Sequence, residues 1–299
     1  MTLRLATRRS PLATRQASDV RDRLAASGVT AELVFVETQG DRDRTSSLAR
    51  LGGVGVFAVE VQRAVLDGAA DVAVHSAKDL PSQTPDGLLL VCVPERRDPA
   101  DVLVGRSLAG LGPGATVATG SPRRRALLLE RRPDLNVVEL RGNMATRLAR
   151  AGHDGVDAVV AAAAALERLD QTDLIAERLE PSWFVPQVGQ GAIALEVRDD
   201  DTVTIEVLAA LNDEKALRAL RAERAYLREL GAGCQVPTGA NATVHDDELT
   251  LSGVMLAPDG AASVRDVLSG YDPDAVGVAL ARRLRDDLGG GNFWAPLDA

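Results

Sequence analysis

The segment His-Ser-Ala-Lys-Asp at 75–79 holds the residues with the clearest chemical potential in the chain. It follows the apolar run Asp-Val-Ala-Val, so we expect it at the carboxyl end of a buried strand. There Asp79 could stabilise a cation or pass protons, and Lys78 could bind an anion or keep Asp79 ionised. Structural alternatives stay open: Asp79 could cap the following turn, and His75 is interpreted as an ordinary half-buried histidine.

A second candidate is Cys234, in Gly-Ala-Gly-Cys-Gln-Val-Pro at 231–237, just after a predicted long helix. Glycines there allow close approach to the thiol, and a helix end or a nearby arginine could adjust its acidity. A thiolate could act as a nucleophile or anchor a covalent group. A purely structural cysteine is the alternative. Cys92 lies inside an apolar strand and is predicted to be an inert core residue.

Two segments share one order: strand, short turn, Ser-Pro, helix. Ser10 and Pro11 hold the cap and first helical position in one, and Ser121 and Pro122 in the other. Serine caps free amides, and proline lacks the hydrogen left unpaired there. Helix N-termini are partially positive, so arginines beside them indicate an anionic ligand. The arginines at these two helix starts are Arg8, Arg9, Arg123, Arg124 and Arg125.

A further strand-to-helix turn at 141–147 supplies Arg141 and Arg147. Residues 123–150 contain eight arginines and three acids, in a chain whose net charge is −9. For the arginines nearest the caps we prefer anion binding. The others are interpreted as residues that coat helix faces: Arg125, Arg131, Arg132 and Arg150.

The first 200 residues alternate short β-like runs with helical stretches, which is typical of parallel sheets covered by helices. The alternation restarts near residue 115, which indicates two lobes. The chain is predicted to pass from the first lobe to the second near residues 94–99 and to return near residues 185–192. A long helix near 213–230, a β-ribbon near 241–268 and a final helix predict a separate α+β unit.

Composition narrows the class of protein. The 299 residues predict two or three domains. The net charge of −9 argues against non-specific nucleic-acid binding. No membrane helix or signal peptide is expected, so we predict a cytoplasmic protein. Only Lys78 and Lys215 are lysines, and the acidic balance suggests adaptation to high salt. The histidines lack metal-ligand spacing, so no metal site is expected: His75, His153 and His245.

Read in order, ten short segments resemble the hydroxymethylbilane synthase, or porphobilinogen deaminase, family. The most specific pair is HSAKD at 75–79 with GAGCQVP at 231–237, and the match covers about residues 3–240. The other segments are ATRRSPLA (6–13), TQGD (38–41), GGVGVF (52–57), GSPRRR (120–125), ERRPDL (130–135), RGNMATRL (141–148), VGQGA (188–192) and LNDE (211–214).

The resemblance implies an α/β fold with two lobes like those of type II periplasmic binding proteins, plus a small C-terminal α+β domain. Lobe 1 would comprise residues 1–95 with about 190–210, and lobe 2 residues 96–189. The third domain, residues 211–299, would carry the cofactor cysteine.

The resemblance also implies a transferase of porphyrin and tetrapyrrole biosynthesis. Four porphobilinogen molecules would be deaminated and joined head to tail on a dipyrromethane primer bound to Cys234, and hydrolysis would release hydroxymethylbilane. Asp79 would stabilise the cationic azafulvene formed as ammonia leaves. The primer would be bound by Lys78, Ser121, Arg123, Arg124, Arg141 and Arg147. The substrate would be bound by Arg8, Ser10, Gln16, Ser76 and Thr119. We expect a monomer without nucleic-acid or membrane partners.

This sequence departs from the family pattern at Val54 and Val59, which stand where the family often has lysines. Weaker or more salt-tolerant substrate binding would follow. Two alternatives from other classes stay open. One is a solute-binding or sensor protein for an organic anion, which leaves GAGCQVP unexplained. The other is a thiol-dependent hydrolase that uses Cys234 with His75.

Overall fold

The computed structural model describes residues 1–38, 55, 57–231 and 236–294. The chain divides into two compact units, one formed by residues 1–97 with 191–217 and the other by residues 98–190 with 218–299. The first unit is built around one sheet, and the second contains two. Among the described residues, no helix has both the length and the apolar composition needed to cross a bilayer.

The first unit contains a five-stranded sheet in the order β2-β1-β3-β10-β4. β1 runs parallel to β2 and β3, whereas β10 runs antiparallel to β3 and β4. Its elements are β1 (Thr2–Arg8), α1 (Pro11–Ala26), β2 (Thr30–Val36), α2 (Val59–Leu66), β3 (Val72–Ser76), a 3₁₀ turn (Ala77–Asp79), β4 (Leu88–Cys92), β10 (Ile193–Arg198) and α6 (Thr202–Ala209).

The core of this unit follows from the two hydrophobic periods of the sequence. Leu3 and Leu5 alternate along β1 onto one buried face, as a strand requires. Ala17, Val20 and Leu24 recur at helical spacing along α1 and pack against them. This packing fixes the start of α1 beside the end of β1.

The second unit contains a sheet of the same form, in the order β7-β6-β8-β5-β9. β6 is parallel to β7 and β8, and β5 is antiparallel to β8 and β9. Its elements up to residue 190 are β5 (Asp101–Val104), β6 (Thr116–Ala118), α3 (Pro122–Arg131), β7 (Asn136–Val138), α4 (Met144–Leu148), β8 (Ala158–Ala162), α5 (Ala163–Arg168), a 3₁₀ turn (Thr172–Leu174) and β9 (Ile175–Leu179).

The remainder of the second unit is an antiparallel three-stranded sheet packed against helices. Its elements are α7 (Glu214–Glu229, of which residues 218–229 belong to this unit), β11 (Thr238–His245), β12 (Glu248–Leu256), β13 (Ser263–Gly270) and α8 (Pro273–Arg282). Tyr226 of α7 is fully buried in this core. Its hydroxyl lies 2.7 Å from the hydroxyl of Thr238, at the first residue of β11. The end of α7 is therefore held to the start of β11.

The predicted fold class is confirmed: two α/β lobes with one shared strand order, and a C-terminal α+β segment. The expectation of parallel sheets needs a correction, because β5 and β10 are antiparallel. Each of these strands follows a segment in which the chain passes from one sheet to the other, and each runs opposite to its neighbours in the sheet that it enters. The division of the chain into three domains, with boundaries near residues 95, 190 and 210, stays a prediction. The structure divides the chain into two units, and one of them contains both residues 98–190 and residues 218–299.

The contact between α7 and α8 depends on a glycine. A Cβ atom at Gly277 would lie 2.3 Å from the Ala222 carbonyl oxygen and 2.9 Å from the Tyr226 nitrogen. Gly277→Ala is expected to lower the free energy of unfolding by about 1–3 kcal/mol, because backbone on the facing helix must move. Urea denaturation measures the change. Gly112→Ala is the matched control, since its Cβ would meet nothing within 4 Å. Equal midpoints for the two variants would contradict the tight-packing argument.

Candidate active site

In the first unit, the predicted site residues collect at one edge of the sheet. β1 and β3 are adjacent and parallel, so Arg8 and Ser76, their last residues, lie at the same edge. Lys78 and Asp79 follow in the 3₁₀ turn, and both side chains are half-buried. The Ala77 nitrogen donates to the Ala192 carbonyl at 3.0 Å, which anchors this turn to the segment leading into β10. The Lys-Asp pair is thus held at a strand end, as predicted.

The helix between these strands adds two polar side chains to the same edge. Ser10 caps α1 by accepting a hydrogen bond from the Ala13 nitrogen at 3.3 Å. Gln16, nearly two turns further along α1, is buried, and its Nε2 donates to the Ser76 hydroxyl at 2.9 Å. The Arg8 guanidinium carbon lies 4.0 Å from the centre of the Phe57 ring. Arg8, Ser10, Gln16 and Ser76 are therefore brought together on neighbouring elements.

In the second unit, a comparable edge is formed by β6 and its parallel neighbour β7. Thr119 follows β6, and its hydroxyl accepts from the Ser121 nitrogen at 3.2 Å. Ser121 in turn caps α3 by accepting from the Arg124 nitrogen at 3.4 Å. Arg141 follows β7, and its Nε donates to Glu139 at 3.0 Å. Arg147 on α4 donates to the Gly142 carbonyl at 2.8 Å.

Arg123 and Arg124 form a buried ionic cluster with Asp101, which the sequence reasoning missed. The Asp101 carboxylate is fully buried and accepts from Arg123 Nη2 at 2.7 Å and from Arg124 Nη2 at 2.6 Å. Burial alone would raise the pKa of Asp101, but the two guanidinium groups outweigh it and lower that pKa to about 2. Two guanidinium groups around one carboxylate leave an excess positive charge, which suits an anionic ligand.

The same cluster gives both arginines a structural role. Arg123 Nη1 donates to the Val185 carbonyl at 2.7 Å, and Arg124 Nη1 donates to the Val160 carbonyl at 3.0 Å. Their ligand-binding roles stay predictions. One sequence signal could have exposed the cluster: an aspartate that opens a buried apolar strand needs a cationic partner.

Of the two cysteines, Cys92 is among the described residues and Cys234 is not. Cys92 is fully buried in β4, and burial raises the pKa of its thiol to about 12, so it stays protonated at neutral pH. Cys234 lies outside the described residues. α7 ends at Glu229 and β11 begins at Thr238, on either side of the segment that contains Cys234.

Val54, the first of the two valines that depart from the family pattern, also lies outside the described residues. Val59, the second, is an exposed residue at the start of α2.

His75 is buried, and its Nε2 lies 3.3 Å from a carboxylate oxygen of Glu196 on β10. The neighbouring Gln62 donates to the same oxygen at 2.7 Å. His75 is therefore buried inside the first unit against a carboxylate, and not half-buried as the sequence predicted.

The geometry defines a two-lobed α/β protein with basic helix starts and a Lys-Asp pair at a strand end. Two family models match the chain: "Porphobilinogen deaminase, dipyromethane cofactor binding domain" over residues 3–206, and "Porphobilinogen deaminase, C-terminal domain" over residues 217–286. The chain belongs to the porphobilinogen deaminase family.

Curated relatives agree with the family models over nearly the whole chain. The porphobilinogen deaminase of Syntrophotalea carbinolica is 45% identical over 289 residues, which cover 94% of this chain and 92% of the relative. That of Moorella thermoacetica is 46% identical over 289 residues, with the same coverage of 94% and 92%.

Solved structures of periplasmic proteins are similar at low identity. The VFT2 domain of Bordetella pertussis BvgS is 19% identical, with a TM-score of 0.42, over 70% of this chain and 86% of that one. A periplasmic substrate-binding protein of a Coxiella burnetii ABC transporter is 15% identical, with a TM-score of 0.44, over 72% of this chain and 94% of that one.

Family membership makes the chain an enzyme of the transferase class with a dipyrromethane cofactor. The described residues fit such a group. Its pyrrole rings carry carboxylate side chains, and the second unit offers guanidinium groups with a positive excess around Asp101.

Proposed function

We propose that this enzyme joins four porphobilinogen molecules head to tail on a dipyrromethane primer attached to Cys234, and releases hydroxymethylbilane by hydrolysis. The observation that carries the proposal is the half-buried Lys78–Asp79 pair, held at the carboxyl end of β3 beside Arg8, Ser10 and Gln16. A carboxylate next to a lysine, at the same end of the sheet as Arg8 and the cap of α1, suits a substrate that has carboxylate side chains and becomes cationic during reaction.

Anion binding would hold the growing chain. The acetate and propionate groups of porphobilinogen would be bound by side chains near the ends of β1 and β3 and on α1, together with Thr119 after β6. The primer would be bound by arginines near the starts of α3 and α4, together with Ser121 and Lys78. Arginine suits this task because its planar guanidinium pairs with a carboxylate through two parallel hydrogen bonds. The substrate-binding set is Arg8, Ser10, Gln16, Ser76 and Thr119, and the primer-binding set is Lys78, Ser121, Arg123, Arg124, Arg141 and Arg147.

Asp79 would supply the electrostatic part of catalysis. Loss of ammonia from porphobilinogen leaves a positive charge on the substrate, and a fixed carboxylate stabilises that charge without reorganising. Lys78, next to it in the 3₁₀ turn, would bind a carboxylate of the bound chain. When bound, the dipyrromethane supplies the free pyrrole end to which the first unit would be added.

The proposal is tested by incubating the purified protein with porphobilinogen and measuring its intact mass beforehand. We expect consumption of porphobilinogen, and a mass excess equal to two condensed pyrrole units. An unmodified, folded protein that leaves porphobilinogen intact would overturn the proposal, and it would favour an anion-binding protein. Acylation of Cys234 without a permanent pyrrole adduct would favour a thiol hydrolase.

We also propose that the enzyme acts in the cytoplasm as a monomer, without nucleic-acid or membrane partners, and that it is adapted to high salt. The net charge of −9 argues against non-specific nucleic-acid binding, and together with the near absence of lysine it supports the adaptation to high salt. Light scattering of the purified protein measures its mass in solution. Activity that is highest in dilute buffer and falls with added KCl would contradict the salt adaptation.

The valine at position 54 gives a specific test of salt dependence. Val54→Lys is expected to lower KM for porphobilinogen at low ionic strength and to make KM rise more steeply with KCl, because salt screens the attraction between a lysine and the carboxylates of the substrate. Steady-state kinetics over a KCl series measure both. Val203→Lys, at an exposed position on α6, is the matched control. Unchanged KM at every salt concentration would show that this position does not influence substrate binding.

A further inference from the structure

The turn that contains Gly189 and Gln190 connects the arginine cluster to α7, the helix that precedes the Cys234 segment. Gln190 is fully buried. Its Nε2 donates to the Asp101 carboxylate at 2.9 Å and to the Pro99 carbonyl at 2.7 Å. Its Oε1 lies 3.5 Å from Arg124 Nη2. Gln190 therefore contacts both members of the Asp101–Arg124 ion pair.

The backbone of this turn is fixed by Glu223. The Glu223 side chain, fully buried on α7, accepts from the Gly189 nitrogen at 2.7 Å and from the Ala242 nitrogen of β11 at 2.8 Å. Gly189 has a positive φ of 73°, a conformation that glycine adopts without strain. One carboxylate thus joins the turn to α7 and to β11, the two elements on either side of the Cys234 segment.

These contacts connect Glu223 to Arg124 through hydrogen bonds and the peptide bond between Gly189 and Gln190. Glu223 holds Gly189, the adjacent Gln190 holds Asp101, and Asp101 accepts from Arg124 Nε at 3.0 Å and Nη2 at 2.6 Å. The side chain of Arg124 is 10% exposed, against 3% for Arg123, so Arg124 is the more accessible of the two.

We propose that Gln190 and Glu223 are positioning residues, which fix the orientation of the Arg124 guanidinium so that it can bind a carboxylate of the primer or the growing chain. The inference rests on the proposed function. Neither residue needs to touch the ligand. A guanidinium pairs with a carboxylate only in a narrow range of orientations, so a shared partner such as Asp101 must itself be held in place.

Gln190→Met and Gln190→Glu separate this role from a merely structural one. Gln190→Met keeps the shape but removes the hydrogen bond to Asp101. It is expected to raise KM for porphobilinogen about tenfold, the effect of one lost charge-assisted hydrogen bond, with kcat less affected. Gln190→Glu places a second carboxylate beside two guanidinium groups and cancels their excess charge. It is expected to raise KM at least as much, without lowering the midpoint of urea unfolding.

The matched control for Gln190→Met is Gln62→Met. Gln62 is also buried and donates to a buried carboxylate, that of Glu196 at 2.7 Å, but it lies in the first unit. It is expected to lower the unfolding midpoint with little change in KM. Glu223→Gln is a second test of the proposal. An amide has one acceptor oxygen where the carboxylate has two, so the variant can accept from only one of the Gly189 and Ala242 nitrogens. Glu229→Gln controls for charge loss on the same helix, because that carboxylate pairs with Arg282 at 3.0 Å.

Crystal structures of wild type and Gln190→Met provide a readout that does not depend on turnover. The inference expects the Arg124 guanidinium to move away from Asp101 in the variant. An unchanged Arg124, or a fall in unfolding midpoint with KM and kcat as in wild type, would overturn it. A wild-type protein that has no pyrrole adduct and consumes no porphobilinogen would instead overturn the proposed function, and the position of Arg124 would still decide the positioning role.

Discussion

Asp79→Asn is expected to lower kcat by about 10²–10³-fold while the protein keeps its fold and its primer. An amide has the shape of the carboxylate but no negative charge, so it cannot stabilise the cation formed as ammonia leaves. The side chain is half-buried in the 3₁₀ turn after β3, where water screens its charge less than at the surface. Steady-state consumption of porphobilinogen gives kcat, and circular dichroism checks the fold.

The control for Asp79→Asn is Asp86→Asn, which removes the same charge at an exposed position of the same unit. It is expected to retain wild-type kcat. Near-normal turnover by Asp79→Asn would remove Asp79 from the proposed mechanism. Intact mass should show the primer on both variants, which separates a defect in turnover from a defect in primer assembly.

Cys234→Ser is expected to abolish both the pyrrole adduct and turnover. A hydroxyl is far less acidic than a thiol, so it does not replace the thiolate that attaches the primer. Without a covalent anchor, the growing chain cannot be retained between additions. Intact mass of the purified variant should equal that of the unmodified chain, and porphobilinogen consumption should fall below detection.

The chain offers a matched control for this experiment, since it contains only one other cysteine. Cys92→Ala should keep the mass excess and most of the activity, because the Cys92 thiol is buried in β4 and its pKa is raised to about 12. A mass excess that persists in Cys234→Ser and disappears in Cys92→Ala would reverse the assignment of the cofactor cysteine.

Local features of the fold could be predicted from sequence because each depends on neighbouring residues. The serine caps at Ser10 and Ser121 occur where the Ser-Pro pairs predicted them. α7, predicted near 213–230, spans Glu214–Glu229. The HSAKD segment begins within the buried strand β3, and its Lys-Asp pair follows the end of that strand, as the apolar run before it indicates.

The antiparallel strands β5 and β10 could not be predicted in this way. Strand direction depends on which sheet the chain re-enters after each crossing, and a single sequence does not encode this locally. The Asp101 cluster is a similar case. Asp101 and Gln190 are 89 positions apart, and their hydrogen bond exists only once the lobe has folded. Consequently the sequence directs attention to the arginines at the start of α3, but not to Asp101 and Gln190, which contact them in the folded unit.

The position of β10 has a consequence for biosynthesis. β10 lies between β3 and β4 in the first sheet, yet residues 98–190 separate it from β4 in the sequence. A nascent chain that has emerged only as far as residue 190 leaves the facing edges of both strands without their partner. The first sheet can therefore be completed only after the ribosome has synthesised residues 98–190 and β10. A fragment that ends at residue 97 lacks the strand that lies between β3 and β4.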